Sequence, residues 1–134
     1  MASTNFFKNR DFGILIIRVG LGICMVMHGL PKITGGMEKW KAIGGAMNTI
    51  GIDFAPTFWG FMASAVETFG GFLLVLGLFF RPANALLAFT MLIAALVHIN
   101  KGEGFMGASH AIEIGIAFLG LIFIGPGKYS IDKK

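Results

Sequence analysis

The chain predicts an all-α membrane protein, a four-transmembrane-helix antiparallel bundle with a long exoplasmic loop between helices 1 and 2. Three observations carry that prediction. Of 134 residues, 55% are hydrophobic and 13% charged, and the mean hydropathy is +0.77, more apolar surface than one soluble core of this length can hide. The apolar residues gather into four windows, 12–31, 56–80, 83–99 and 108–124, each near the ~17–25 residues that cross ~30 Å of hydrocarbon as a helix. Set inside those windows are Arg18, His28, Glu67, His98, His110 and Glu113, ionisable groups costing at least ~2.5 kcal/mol apiece in lipid and therefore expected to meet one another. Four spans leave no room for a further soluble unit, so residues 1–134 read as a single membrane domain.

The first window follows Lys8 and Arg10 as a secretory signal would, yet it is long and lacks a small-x-small cleavage pattern, so it is expected to be a mature helix. Residues 33–55 form the one long connection, glycine-rich but carrying Met37, Trp40, Met47 and Ile50 at near-helical spacing. Two readings stay open for it: a short helix at the membrane surface with Trp40 among the headgroups, or a mobile loop. Arg81-Pro82 marks a tight turn between the second and third windows, because a residue before proline avoids helical torsions. Those two spans are thus expected to be antiparallel neighbours.

Loop charges bias the orientation. The side holding both termini receives Lys8, Arg10, Arg81, Lys128, Lys133 and Lys134 against Asp11 and Asp132, while the other receives Lys32, Lys39, Lys41 and Lys101 against Glu38, Asp53 and Glu103. The excess of bases favours N- and C-termini in the cytoplasm. Spread over tails and loops, these bases do not form a nucleic-acid footprint. A lone Cys24 excludes an internal disulfide and any Cys-x-x-Cys exchange centre. The eight methionines are scattered and read as flexible packing.

Within the windows, polar groups fall on seams of three-and-four spacing, the pattern of a left-handed helix pair. The seams are Arg18, Gly22, Met25, Gly29 and Lys32; Ala63, Glu67, Gly70, Leu74 and Gly77; Asn84, Leu87, Met91, Ala94 and His98; and His110, Glu113, Ala117 and Gly120. All four are expected to face the interior. At ~1.5 Å per residue, His28, Glu67, His98, His110 and Glu113 come out in the outer half, with Arg18 lower and reaching up to Glu67 or Glu113 as a charge pair. Lys32, at its helix end, is expected to snorkel to the headgroups unless drawn into a site.

Three chemistries suit such an interior. A quinone needs an apolar slot with donors at its carbonyls and a group that exchanges protons; Arg18, Lys32, Glu67 and Trp59 are the candidate binding residues, with Phe58, Phe61, Phe69 and Phe72 as further walls, and Arg18, His28, Glu67, His98 and Glu113 the candidate catalytic set. A metal ion would take His98, His110 and Glu113, the last two on one helix face at i and i+3. The non-enzymatic reading makes the buried charges structural, fixing helix register in a scaffold or chaperone. No flavin, haem or cluster motif is visible, so redox work would need an electron-donating partner protein. Paired small residues, Gly22 with Gly29 and Ala111 with Gly115, serve equally for packing within one chain or between two, which leaves homo-oligomerisation open.

Taken in order, Arg18; His28-Gly29-Leu30-Pro31-Lys32; Glu67-Thr68-Phe69-Gly70-Gly71; Leu76-Gly77-Leu78 before Arg81; and Gly125-Pro126-Gly127-Lys128-Tyr129-Ser130-Ile131-Asp132 resemble the DoxX family of small bacterial membrane proteins. The resemblance runs from about residue 12 to 132. It implies a four-helix bundle in the cytoplasmic membrane and an association with redox systems, including a quinone-reducing thiosulfate oxidation subunit and a membrane partner of detoxifying oxidoreductases; distant relatives are cargo receptors or receptor chaperones. Arg18, His28, Lys32, Glu67 and Glu113 match positions where the family keeps polar groups inside the membrane. The leading expectation is a quinone-interacting subunit of a membrane oxidoreductase.

Overall fold

A computed structural model describes residues 8–132, and among them every regular element is helical. Five α-helices follow in order: α1 Arg10–Ile33, α2 Met37–Gly44, α3 Pro56–Leu76, α4 Phe80–Asn100 and α5 Gly104–Ile124, with a 3₁₀ turn at Gly45–Ile50 after α2. Helices α1, α3, α4 and α5 are each long and apolar enough to cross a membrane. The long connection therefore contains a short helix rather than loop alone. Its exoplasmic placement remains the expectation drawn from loop charges.

Local chemistry sets the ends. The Asn9 side chain caps α1 by accepting from the Phe12 N–H at 3.0 Å. Pro56 starts α3, where its missing N–H leaves no gap. Gly77 ends α3 at φ +67, so the second span stops short of the 80 that hydropathy alone marks.

Small residues govern the packing of α1 on α3. A Cβ on Gly22 would stand 2.6 Å from the Gly71 carbonyl oxygen, and one on Gly71 would stand 2.6 Å from that of Gly22. The two backbones touch, which only glycine permits. The short α2 presses on the start of α3 in the same way, Gly44 against Pro56 and Gly60 against Trp40. Backbone packing is closest between α1 and α3 and between α4 and α5, while His28 of α1 meets His110 of α5 with ring centroids 5.5 Å apart, so α1 and α5 are also neighbours. Leu74, Phe80, Leu87, Phe118 and Met25 fill the core.

Three of the expected seams do face inward: Arg18, Gly22, Met25 and Gly29 on α1; Glu67, Gly70 and Leu74 on α3; Asn84, Leu87 and Met91 on α4. The fourth is turned over. Helix α5 buries Ala108, Ala111, Phe118 and Leu121, and leaves His110, Glu113 and Gly120 exposed.

Candidate functional site

The polar groups do not share one interior; they separate into a loop-side ion pair, a terminal-side arginine site and an outer face. On the loop side, Lys32 Nζ donates to both Glu67 oxygens, at 3.1 Å to Oε1 and 2.9 Å to Oε2. Glu67 is buried on α3, and no other hydrogen bond to its carboxylate is seen among the described residues. Lys32 is positioned by its own helix end. Its backbone carbonyl accepts from Trp40 Nε1 at 3.1 Å, and the Trp40 ring lies edge-on to Phe61 with centroids 4.9 Å apart, so α2 is pinned over the end of α1.

Beside this pair opens a cavity of about 270 Å³ between α3 and α4, roofed by α2 and the 3₁₀ turn. Lys32, Glu67 and Trp59 stand in its wall with Met47, Met62, Thr90 and Ile93. Trp59 Nε1 is buried with no hydrogen-bond partner among the described residues. A buried donor without an acceptor costs about 1–3 kcal/mol. Edge contacts with Phe54 and Phe58, centroids 6.2 and 5.0 Å away, hold the indole in place.

Arg18 takes another role from the one expected. Its guanidinium donates to three backbone carbonyls, Pro126 at 2.8 Å, Tyr129 at 2.6 Å and Val75 at 3.3 Å, rather than to Glu67 or Glu113. The reason is depth: Arg18 lies 14 residues before Lys32 on α1, or ~21 Å along the axis, too far for any side chain to bridge. What it holds is the segment after α5. There the Asp132 carboxylate accepts from the Phe79 and Phe80 N–H groups at 3.0 and 2.7 Å, capping α4, while the Ile131 and Asp132 N–H groups bond to Leu76 and Gly77 carbonyls. The strap crosses beneath the α3–α4 turn with Arg18 as its anchor.

The histidines and Glu113 stay apart from both sites. His98 pairs with Glu103 at 3.0 Å across the α4–α5 turn, both side chains largely open. His28 and His110 face each other with ring centroids 5.5 Å apart, both exposed, and Glu113 is exposed one turn further along α5. The expected metal grouping of His98, His110 and Glu113 is not formed: among the described residues no three His, Cys, Asp or Glu side chains cluster to hold an ion. Of the expected aromatic walls only Trp59 lines the cavity; Phe58, Phe61, Phe69 and Phe72 are exposed. The pairing of Lys32 with Glu67 is not singled out by the sequence pattern, although both lie on the expected inward seams.

Four apolar spans enclosing a buried ion pair define a multi-pass helical membrane protein. The chain belongs to the DoxX family, whose family model matches residues 13–100. It is 34% identical over 134 residues to the inner membrane protein YqjF of Escherichia coli, with 94% of each chain covered. It is 35% identical over 100 residues to a Bacillus subtilis protein named "Putative oxidoreductase CatD", covering 75% of this chain and 69% of that one. The Mycobacterium tuberculosis membrane protein Rv3486 is 31% identical, with 90% of this chain and 80% of the relative covered. No solved structure matches the chain.

Proposed function

We propose that the protein is a quinone-interacting subunit of a membrane redox system, with the ring held in the α3–α4 cavity. The observation that carries this reading is the unsatisfied Trp59 Nε1–H in the same wall as the Lys32–Glu67 pair. Trp59 donates to one ring carbonyl, and Lys32, already partly open to solvent, turns an N–H toward the other. Glu67 holds the ammonium in place and exchanges protons through it with the loop side. Met47, Met62 and Ile93 supply the apolar walls that keep water from the ring. A quinone, when bound, supplies two-electron, two-proton chemistry, and the electrons come from a separate electron-donating protein. The name of the Bacillus relative is in keeping with that assignment. On the orientation drawn from loop charges, the cavity lies in the outer half of the bilayer and both termini in the cytoplasm.

One observation favours a purely structural rival: the Lys32–Glu67 pair is complete without any ligand. Titration of delipidated protein with a short-chain quinone, read by tryptophan fluorescence, separates the two. Saturable binding, weakened about 3- to 10-fold in Trp59→Phe as one hydrogen bond of ~1 kcal/mol is lost and further in Lys32→Met, is the expected result. Absence of saturation, or equal binding by both variants and the wild type, leaves only the scaffold reading.

A further inference from the structure

Helix α5 carries a polar seam that stays exposed among the described residues. Glu113 lies one residue from the midpoint of this 21-residue span, where the bilayer is driest. It is exposed, and no ion pair or hydrogen bond reaches its carboxylate among the described residues. His110 is exposed one turn before it, with His28 of α1 beside it at 5.5 Å between ring centroids. Ala117 and Gly120 continue the line at steps of four and three, and a Cβ on Gly120 would meet nothing within 4 Å. Acyl chains offer no partner to a carboxylate, and the opposite face of α5 is already occupied by Ala108, Ala111, Phe118 and Leu121 packed in the core.

We propose that this seam is the contact face of a homodimer, α5 against α5 of a second copy about a two-fold axis along the membrane normal. The choice of a second copy follows from the chemistry of the patch, which holds both halves of a complementary pair. Glu113 is the acceptor, and His110 and His28 are the donors. In a parallel α5 pair the three-and-four spacing brings the seams together as interlocking layers, and each Glu113 then lies one turn from the second copy's His110. Gly120, with no neighbour of its own, lets the backbones close on the terminal side. The seam is built from α1 and α5, whereas the quinone cavity lies between α3 and α4, so the dimer stands or falls independently of that reading.

Cross-linking in native membranes tests it. In a Cys24→Ser background, Gly120→Cys is oxidised with copper phenanthroline beside a reference, Phe72→Cys, on an exposed face of α3. A disulfide-linked dimer from Gly120→Cys and none from Phe72→Cys supports the seam. Single-molecule photobleaching in dilute liposomes adds a second reading, with two steps for the wild type and one for Gly120→Trp, whose bulk projects into open space and leaves the bundle folded. Equal cross-linking at both positions, single-step bleaching of the wild type, or cross-links solely to a protein of different mass would each overturn the proposal.

Discussion

Removing Lys32 is expected to harm the fold more than removing Glu67, although they form a single ion pair. The asymmetry comes from burial: the Glu67 side chain is 7% exposed and that of Lys32 35%. In Lys32→Met the carboxylate is left inside the bundle with no donor, the situation that costs about 3–5 kcal/mol when a buried pair is broken. In Glu67→Leu the ammonium can swing to the headgroups on its flexible stem, and the loss falls to about 1 kcal/mol. The double variant Lys32→Met with Glu67→Leu removes both the attraction and the desolvation cost, so its stability should return to within about 1 kcal/mol of wild type. Circular dichroism during SDS titration in mixed micelles gives the four unfolding free energies of the cycle. The reasoning requires a coupling of at least about 2 kcal/mol. Equal small effects of both single changes, adding up in the double, would show that the pair is wet and refute it.

Other consequences can be checked separately. Arg18→Leu frees the strap and removes the guanidinium donor from the Pro126, Tyr129 and Val75 carbonyls, so limited proteolysis should cut after residue 124 in the variant and spare the wild type. Asp132→Ala uncaps α4 and should cost about 0.5–2 kcal/mol in the same titration. Gly71→Val drives a side chain into the α1 backbone at Gly22; it should lower the yield of folded protein sharply, whereas Gly20→Val, facing open space, should not. Breaking the open His98–Glu103 pair by His98→Ala should change stability by less than about 1 kcal/mol and leave quinone titration unaltered.

Much of this architecture is visible in the residues themselves. Span lengths follow from hydropathy, and the seams of α1, α3 and α4 are singled out because polar residues there alternate with glycine at three-and-four steps. The same rule misplaces α5, since Ala108, Ala111, Gly115 and Phe118 repeat that spacing on the opposite face and nothing local says which face turns inward. Assuming that ionisable groups seek the interior selects the wrong one for Glu113. Arg18 escapes for another reason: its acceptors are backbone carbonyls of a segment more than 100 residues away, and carbonyls leave no trace in side-chain pattern. The Lys32–Glu67 pair was within reach, because both seams and their common side of the membrane are legible, but a lysine at a helix end reads first as a snorkelling one. The cavity beside it depends on how α2 folds over α3, a consequence of the Gly44 and Gly60 close approaches that spacing alone does not reveal.

Photoaffinity labelling with an azido-quinone, followed by peptide mapping, bears most directly on the site. The account predicts label on Met47, Met62 and Thr90, displaced by excess unlabelled quinone and lost in Lys32→Met. Label scattered over exposed Phe69, Phe72 and Phe123, undiminished by competitor, would contradict it.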